Sequence, residues 1–94
     1  MVWAESGTYS DPQSDVRGRA ALGGLIDAVN AQFPPGIEIR RTSAVDVHHN
    51  VARFAWTLSG EGISIEGIDI AFLSDDGKRL ERVIGFFGPL APKA

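Results

Sequence analysis

The sequence predicts an α+β fold, a curved and mostly antiparallel sheet packed on one helix. Three observations carry that prediction. Residues 18–33 place apolar side chains at helical spacing. From Ile37 onward the apolar residues change to period two. The alternating segments are separated by short turn-forming clusters, which join antiparallel neighbours as hairpins.

The helix runs from Gly18 to about Phe33, with Leu22, Leu25, Ile26, Val29 and Phe33 on one stripe. Ser14 and Asp15 stand upstream as capping candidates, and Pro34-Pro35-Gly36 stops the helix. Gly23-Gly24 inside it costs about 1 kcal/mol per glycine relative to alanine. The pair reads as close packing against the sheet, as a weak turn, or as a defect tolerated on the exposed side.

Four strands follow: Ile37–Val47, Val51–Ser59, Ile63–Leu73 and Leu80–Phe87. Their connections are His48-His49-Asn50, Gly60-Glu61-Gly62 and Ser74-Asp75-Asp76-Gly77, all turn chemistry. Alternation sorts the side chains. Ala52, Phe54, Trp56 and Leu58 share one face of their strand, and Ile65, Asp69, Ala71 and Leu73 one face of the next. Ile68, Ile70 and Phe72 take the opposite face, and in the last strand Val83 and Phe87 oppose Ile84 and Phe86. Two apolar faces need two covers, and one helix supplies one. A homodimer through the outer face, with Ile68, Ile70, Phe72, Ile84 and Phe86, is therefore expected.

At 94 residues the chain is expected to form a single domain over 1–94. A formal charge of −3 gives no electrostatic reason to approach nucleic acid or an anionic membrane. With no cysteine, disulfides and thiolate metal sites are excluded. The residues after Met1 have no basic start followed by an apolar core, and no apolar run nears the ~20 residues that span a bilayer. A cytoplasmic protein is expected.

The most informative side chains are two aspartates. Asp11 closes Gly7-Thr8-Tyr9-Ser10-Asp11-Pro12, and Asp69 interrupts the apolar run Ile68-Asp69-Ile70-Ala71-Phe72-Leu73. A charged, unpaired carboxylate among such neighbours costs several kcal/mol, so each is turned to water, neutralised or used.

The order Asp11-Pro12, Gly18-Arg19-Ala20-Ala21-Leu22, Gly67-Ile68-Asp69, Asp76-Gly77 and Gly85-Phe86-Phe87-Gly88 resembles the NTF2-like superfamily. It looks closest to the SnoaL-like polyketide cyclases and the ketosteroid isomerases. The resemblance implies a cone-shaped sheet around an apolar pocket. In the isomerase branch an aspartate in the position of Asp11 is the general base. One in the position of Asp69 stays protonated and donates a hydrogen bond to the developing oxyanion. The same matching puts Phe54, Trp56, Leu58, Ala71, Val83 and Phe87 on the pocket wall. Family members begin with two helices before the strand carrying Asp11, and this chain starts about where those helices would end. The isomerases place a donor tyrosine on the first of them. The tyrosine here, Tyr9, shares the strand face of Asp11 and is not at the family's donor position.

Other readings stand beside these. Asp11 before a proline is also a turn residue, and Asp69 also reads as a hydrogen-bonded structural aspartate. His48-His49 reads as a solvated turn with no metal site, since adjacent strand residues point apart and no third ligand is near. Arg53 reads as a surface arginine, or as the partner of a neighbouring-strand carboxylate such as Glu66 or of another subunit. The function expected is binding of a small apolar molecule without a cofactor, with proton transfer by Asp11 and Asp69 as its catalytic form. The alternative is a non-catalytic oligomerisation module with a vestigial pocket. For both aspartates to act on one ligand, they must open onto one cavity from different sides.

Overall fold

The computed structural model describes residues 2–32, 36–90 and 92–93. The elements in order are β1 (Val2–Asp11), β2 (Ser14–Arg17), α1 (Arg19–Gln32), β3 (Glu38–Arg41), β4 (Asp46–His48), β5 (Val51–Gly60), β6 (Ile63–Leu73) and β7 (Arg79–Phe87). The strands make one sheet in the order β2-β1-β7-β6-β5-β3, with β4 also pairing β5. Every pairing is antiparallel except β1 with β7, which is parallel. This is the α+β architecture that the change from period 3.6 to period two predicts.

Two of the hairpins close on residues with positive φ. His49 (φ 48) and Asn50 (φ 61) close β4 on β5, and Glu61 (φ 43) with Gly62 (φ 79) closes β5 on β6. Two consecutive residues with positive φ match the right-handed twist of the strands they join. His48 and His49 are exposed, and among the described residues no cluster of three metal-ligating side chains occurs.

Two expectations change, and two readings left open are decided. Ser14 and Asp15 do not cap the helix. They pair with Asp11 and Ser10 in a hairpin turned by Pro12-Gln13, because the Asp11 carboxylate accepts the Gln13 N–H at 2.9 Å and closes that turn. The strand expected over Ile37–Val47 is split into β3 and β4, which lie along successive halves of β5. Between them Ser43 Oγ accepts the Ala55 N–H at 2.8 Å in place of a backbone carbonyl. Arg53 is the exposed surface arginine expected, and the neighbouring-strand carboxylate it pairs with is Asp46 at 3.0 Å rather than Glu66. Asp46 is its direct cross-strand neighbour, whereas Glu66 lies opposite Thr57. That places Glu66 about 13 Å further along the ladder. The glycine pair Gly23-Gly24 is open: a Cβ at either position would meet nothing within 4 Å.

The helix packs on β1 and β2. Leu22 is buried, Leu25 half-buried and Ile26 exposed, so only part of the expected stripe is covered. Phe33, Pro34 and Pro35 lie outside the described residues, as does the Val29 side chain. Gly18 (φ 88) makes the turn into α1, and its N–H donates to the Gly7 carbonyl at 2.7 Å. Gly7 sits in the bulge of β1, where a Cβ would come within 2.9 Å of the Trp3 ring. The buried core is one cross-strand row of Ala52, Ala71 and Val83, covered by Trp3, Tyr9 and Leu80. No helix among the described residues is long and apolar enough to cross a membrane.

Candidate functional site

Cross-strand register builds the site. Phe54 lies opposite Asp69, and Asp69 opposite Gly85. Ser10 lies beside Ile84, which brings the next residue of β1, Asp11, beside Gly85. Residues opposite one another share a face, so Asp11, Gly85, Asp69 and Phe54 form one row. Trp56, Gly67 and Phe87 form the next row, and Leu58 with Ile65 the one after. Together these rows wall a cavity of about 570 Å³. That volume suits a small organic molecule.

The polar groups meet at Gly85. A Cβ there would stand 2.9 Å from Asp69 Oδ1, 3.3 Å from Tyr9 Oη and 3.5 Å from Asp11 Cβ. Only glycine leaves room for all three. Tyr9 Oη donates to Asp11 Oδ2 at 2.8 Å, while Asp11 Oδ1 accepts the Gln13 N–H. Asp11 is thus a turn residue through one oxygen and a cavity residue through the other. Trp56 Nε1 donates to Asp69 Oδ1 at 2.9 Å. The indole can reach it because it lies across Gly67, where a Cβ would overlap the ring.

The electrostatics follow from this crowding. Burial raises the Asp69 carboxyl above its ordinary 3.8, the Trp56 hydrogen bond opposes the rise, and the charge of Asp11 adds to it. Burial, then the hydrogen bond to Asp11 and the charges of Asp11 and Asp69, push the Tyr9 phenol well above its ordinary 10.0. At neutral pH Tyr9 therefore keeps its proton and donates a hydrogen bond to Asp11.

Of the site residues expected from sequence, Tyr9, Asp11, Phe54, Trp56, Leu58, Asp69 and Phe87 line the cavity. Ala71 and Val83 do not. They share its face but lie one row deeper, in the packed core under Trp3, Tyr9 and Leu80. The two carboxyls line one cavity and flank Gly85 from opposite neighbouring strands, Asp11 from β1 and Asp69 from β6. Sequence reasoning missed Gln13, Ser14, Ile39, Arg41 and Ile65 on the wall. It also missed the permissive roles of Gly67 and Gly85, although glycine inside a strand is itself a signal of close approach. A second hollow of about 640 Å³ lies over β1, β2 and β7. Its lining of Ser6, Thr8, Ser10, Asp15, Arg17, Glu81 and Arg82 is hydroxyls and mixed charges, away from the acid pair.

The structure is similar to that of a SnoaL-like family protein from Agrobacterium tumefaciens that bears an isomerase assignment. The two are 31% identical, with a TM-score of 0.82 over 94% of this chain and 75% of that one. The chain belongs to the SnoaL-like family. This SnoaL-like chain also superimposes on a ketosteroid isomerase assignment from Kribbella flavida, with TM-score 0.74 and 20% identity over 99% of this chain and 65% of that one. A steroid delta-isomerase from Pseudomonas aeruginosa gives TM-score 0.71 and 13% identity over 95% of this chain and 64% of that one. At those identities the last two show the shared NTF2-like fold alone. No family model matches the sequence, and no curated protein does.

Proposed function

We propose that the cavity binds a small apolar carbonyl compound and moves a proton on it. Asp11 takes a proton from the carbon next to the carbonyl. The electron pair left behind shifts onto the carbonyl oxygen, which accepts a hydrogen bond from neutral Asp69. Return of the proton to another carbon completes an isomerisation that needs no oxidant and no cofactor. The carrying observation is the row Asp11-Gly85-Asp69, with two carboxyls beside one glycine and burial favouring the neutral form of Asp69. Two acids held in unlike environments divide base from donor. Tyr9 is a positioning residue: its hydrogen bond orients Asp11. Phe54, Trp56, Leu58, Ile65 and Phe87 supply the apolar wall.

Conversion of a cyclic unconjugated enone, followed by the absorbance of the conjugated product, tests this reading. Asp11→Asn is expected to abolish turnover with little loss of affinity, because a base acts in the transition state. Asp69→Ala is expected to slow turnover by about 10²-fold or more. An Asp11→Asn variant as active as the parent overturns the proposal.

The outer face favours a second role beside the first. Ile68 is 51%, Phe72 36% and Phe86 62% exposed, with Ile70 and Ile84 half-buried among them. Such a contiguous apolar face suits a homodimer. Sedimentation at micromolar concentration is expected to give a dimer that Phe72→Glu dissociates. A compact monomer overturns this reading.

A further inference from the structure

The cavity has one charged side chain that the proton-transfer scheme does not use. Arg41, the last residue of β3, lines it together with Ile39, and it is the one cation on the wall among the described residues. The alternation of β3 separates two arginines. Arg40 points away from the cavity residues and pairs with Glu38 at 3.5 Å. Arg41 shares the cavity side with Ile39, and among the described residues no carboxylate lies within ion-pair distance of it.

Arg41 is also remote from the acid pair. It lies opposite Trp56 on β5, two strands across from β6 and one row away from Asp69. Strand spacing and rise place the Arg41 and Asp69 Cα atoms about 12 Å apart along the sheet. Asp11 is two strands further, on β1. Arg41 is accordingly not among the influences on Asp69, which are burial, Trp56 and Asp11. Its charge serves neither carboxylate. The cavity is therefore polarised: an acid pair at one end, apolar side chains between, and a guanidinium at the opposite wall.

We propose that Arg41 selects the ligand, and that the cavity takes an apolar ring compound bearing one carboxylate, held by Arg41 with its reactive carbonyl toward Asp11 and Asp69. The inference rests on the ligand-cavity reading above. The guanidinium fork accepts a carboxylate through two parallel hydrogen bonds. Asp11 repels the same group from the other end, so attraction and repulsion set one orientation. Arg41 lines the cavity and is exposed, so its guanidinium is open to a charged ligand in solvent.

Calorimetric titration with 2-naphthoate and its neutral methyl ester tests this. The indole N–H resonance of Trp56 reports whether each probe enters the cavity. The parent is expected to prefer the acid. Arg41→Gln is expected to weaken the acid by about tenfold or more, the scale of a lost charge-assisted hydrogen bond, and to leave the ester nearly unchanged. Arg41→Lys is expected to restore part of the preference. If the ester moves the Trp56 resonance but Arg41→Gln weakens both probes equally or neither, the inference falls and the cavity reading stands. If neither probe moves that resonance, the cavity reading falls and the inference with it.

Discussion

Asp69 in β6 and Asp76 in the turn after it are close in sequence and opposite in chemistry. Asp76 is fully exposed, and its carboxylate accepts Ser74 Oγ at 2.6 Å and the Lys78 N–H at 2.9 Å. Those bonds favour the charged form and lower its affinity for a proton. Asp69 is half-buried, has a single indole donor and faces another carboxylate, so its proton is held more tightly. The turn aspartate shapes the backbone. The strand aspartate keeps polar chemistry inside an apolar wall. The comparison teaches that donors and water at the carboxyl, rather than residue type, separate a structural acid from a reactive one.

The largest expected effect comes from the glycine that makes the Asp69 environment possible. In Gly67→Val the side chain meets the Trp56 indole directly. Overpacking of this kind costs typically about 1–3 kcal/mol, and displacing the indole also removes the hydrogen bond to Asp69. Urea unfolding is expected to show a loss near the upper end of that range. A loss within error of zero would mean that Trp56 packs elsewhere and that the contrast between the two aspartates has another cause.

A smaller pair of effects sharpens the contrast through pH. Asp69 binds its proton more tightly folded than unfolded, so its contribution to stability is fully present below 3.8. It is lost as pH rises through the raised folded value. Asp76 has the reverse sign: its contribution is present above 3.8 and is lost as pH falls through the lowered folded value. Asp69→Asn is therefore expected to raise the melting temperature at pH 7 and to change it little at pH 3. Asp76→Asn is expected to lower it slightly at pH 7 and to lose that effect in acid. Melting curves at the two pH values check both. Shifts of the same sign at pH 7 would erase the distinction.

Much of this arrangement was legible in the residues themselves. The period-two pattern of Val51–Ser59 and Ile63–Leu73 set the face shared by Phe54, Trp56, Leu58 and Asp69, because alternation is a local property of extended chain. The turns at Asn50, Glu61-Gly62 and Gly77 were legible for the same reason, since positive φ is a property of single residues. The strand over Asp11 was visible only through family resemblance, and β2 was read as a pair of helix caps. The parallel pairing of β1 with β7 was not legible at all. It joins the two ends of the chain, and no local pattern encodes a partner so distant in sequence.

The sequence by itself determined the fold class, the cavity-facing rows of β5 and β6, and an acid placed where burial is costly. These follow from backbone geometry and from the price of desolvating a charge. Only the tertiary structure decided that Asp11 and Asp69 meet at one glycine, that Tyr9 serves Asp11, and that Arg41 faces them from another strand. Ala71 and Val83, on the right face by alternation, went to the core for the same reason. Depth along a curved sheet depends on register and on what covers each row, and both are set by contacts between segments far apart in the chain.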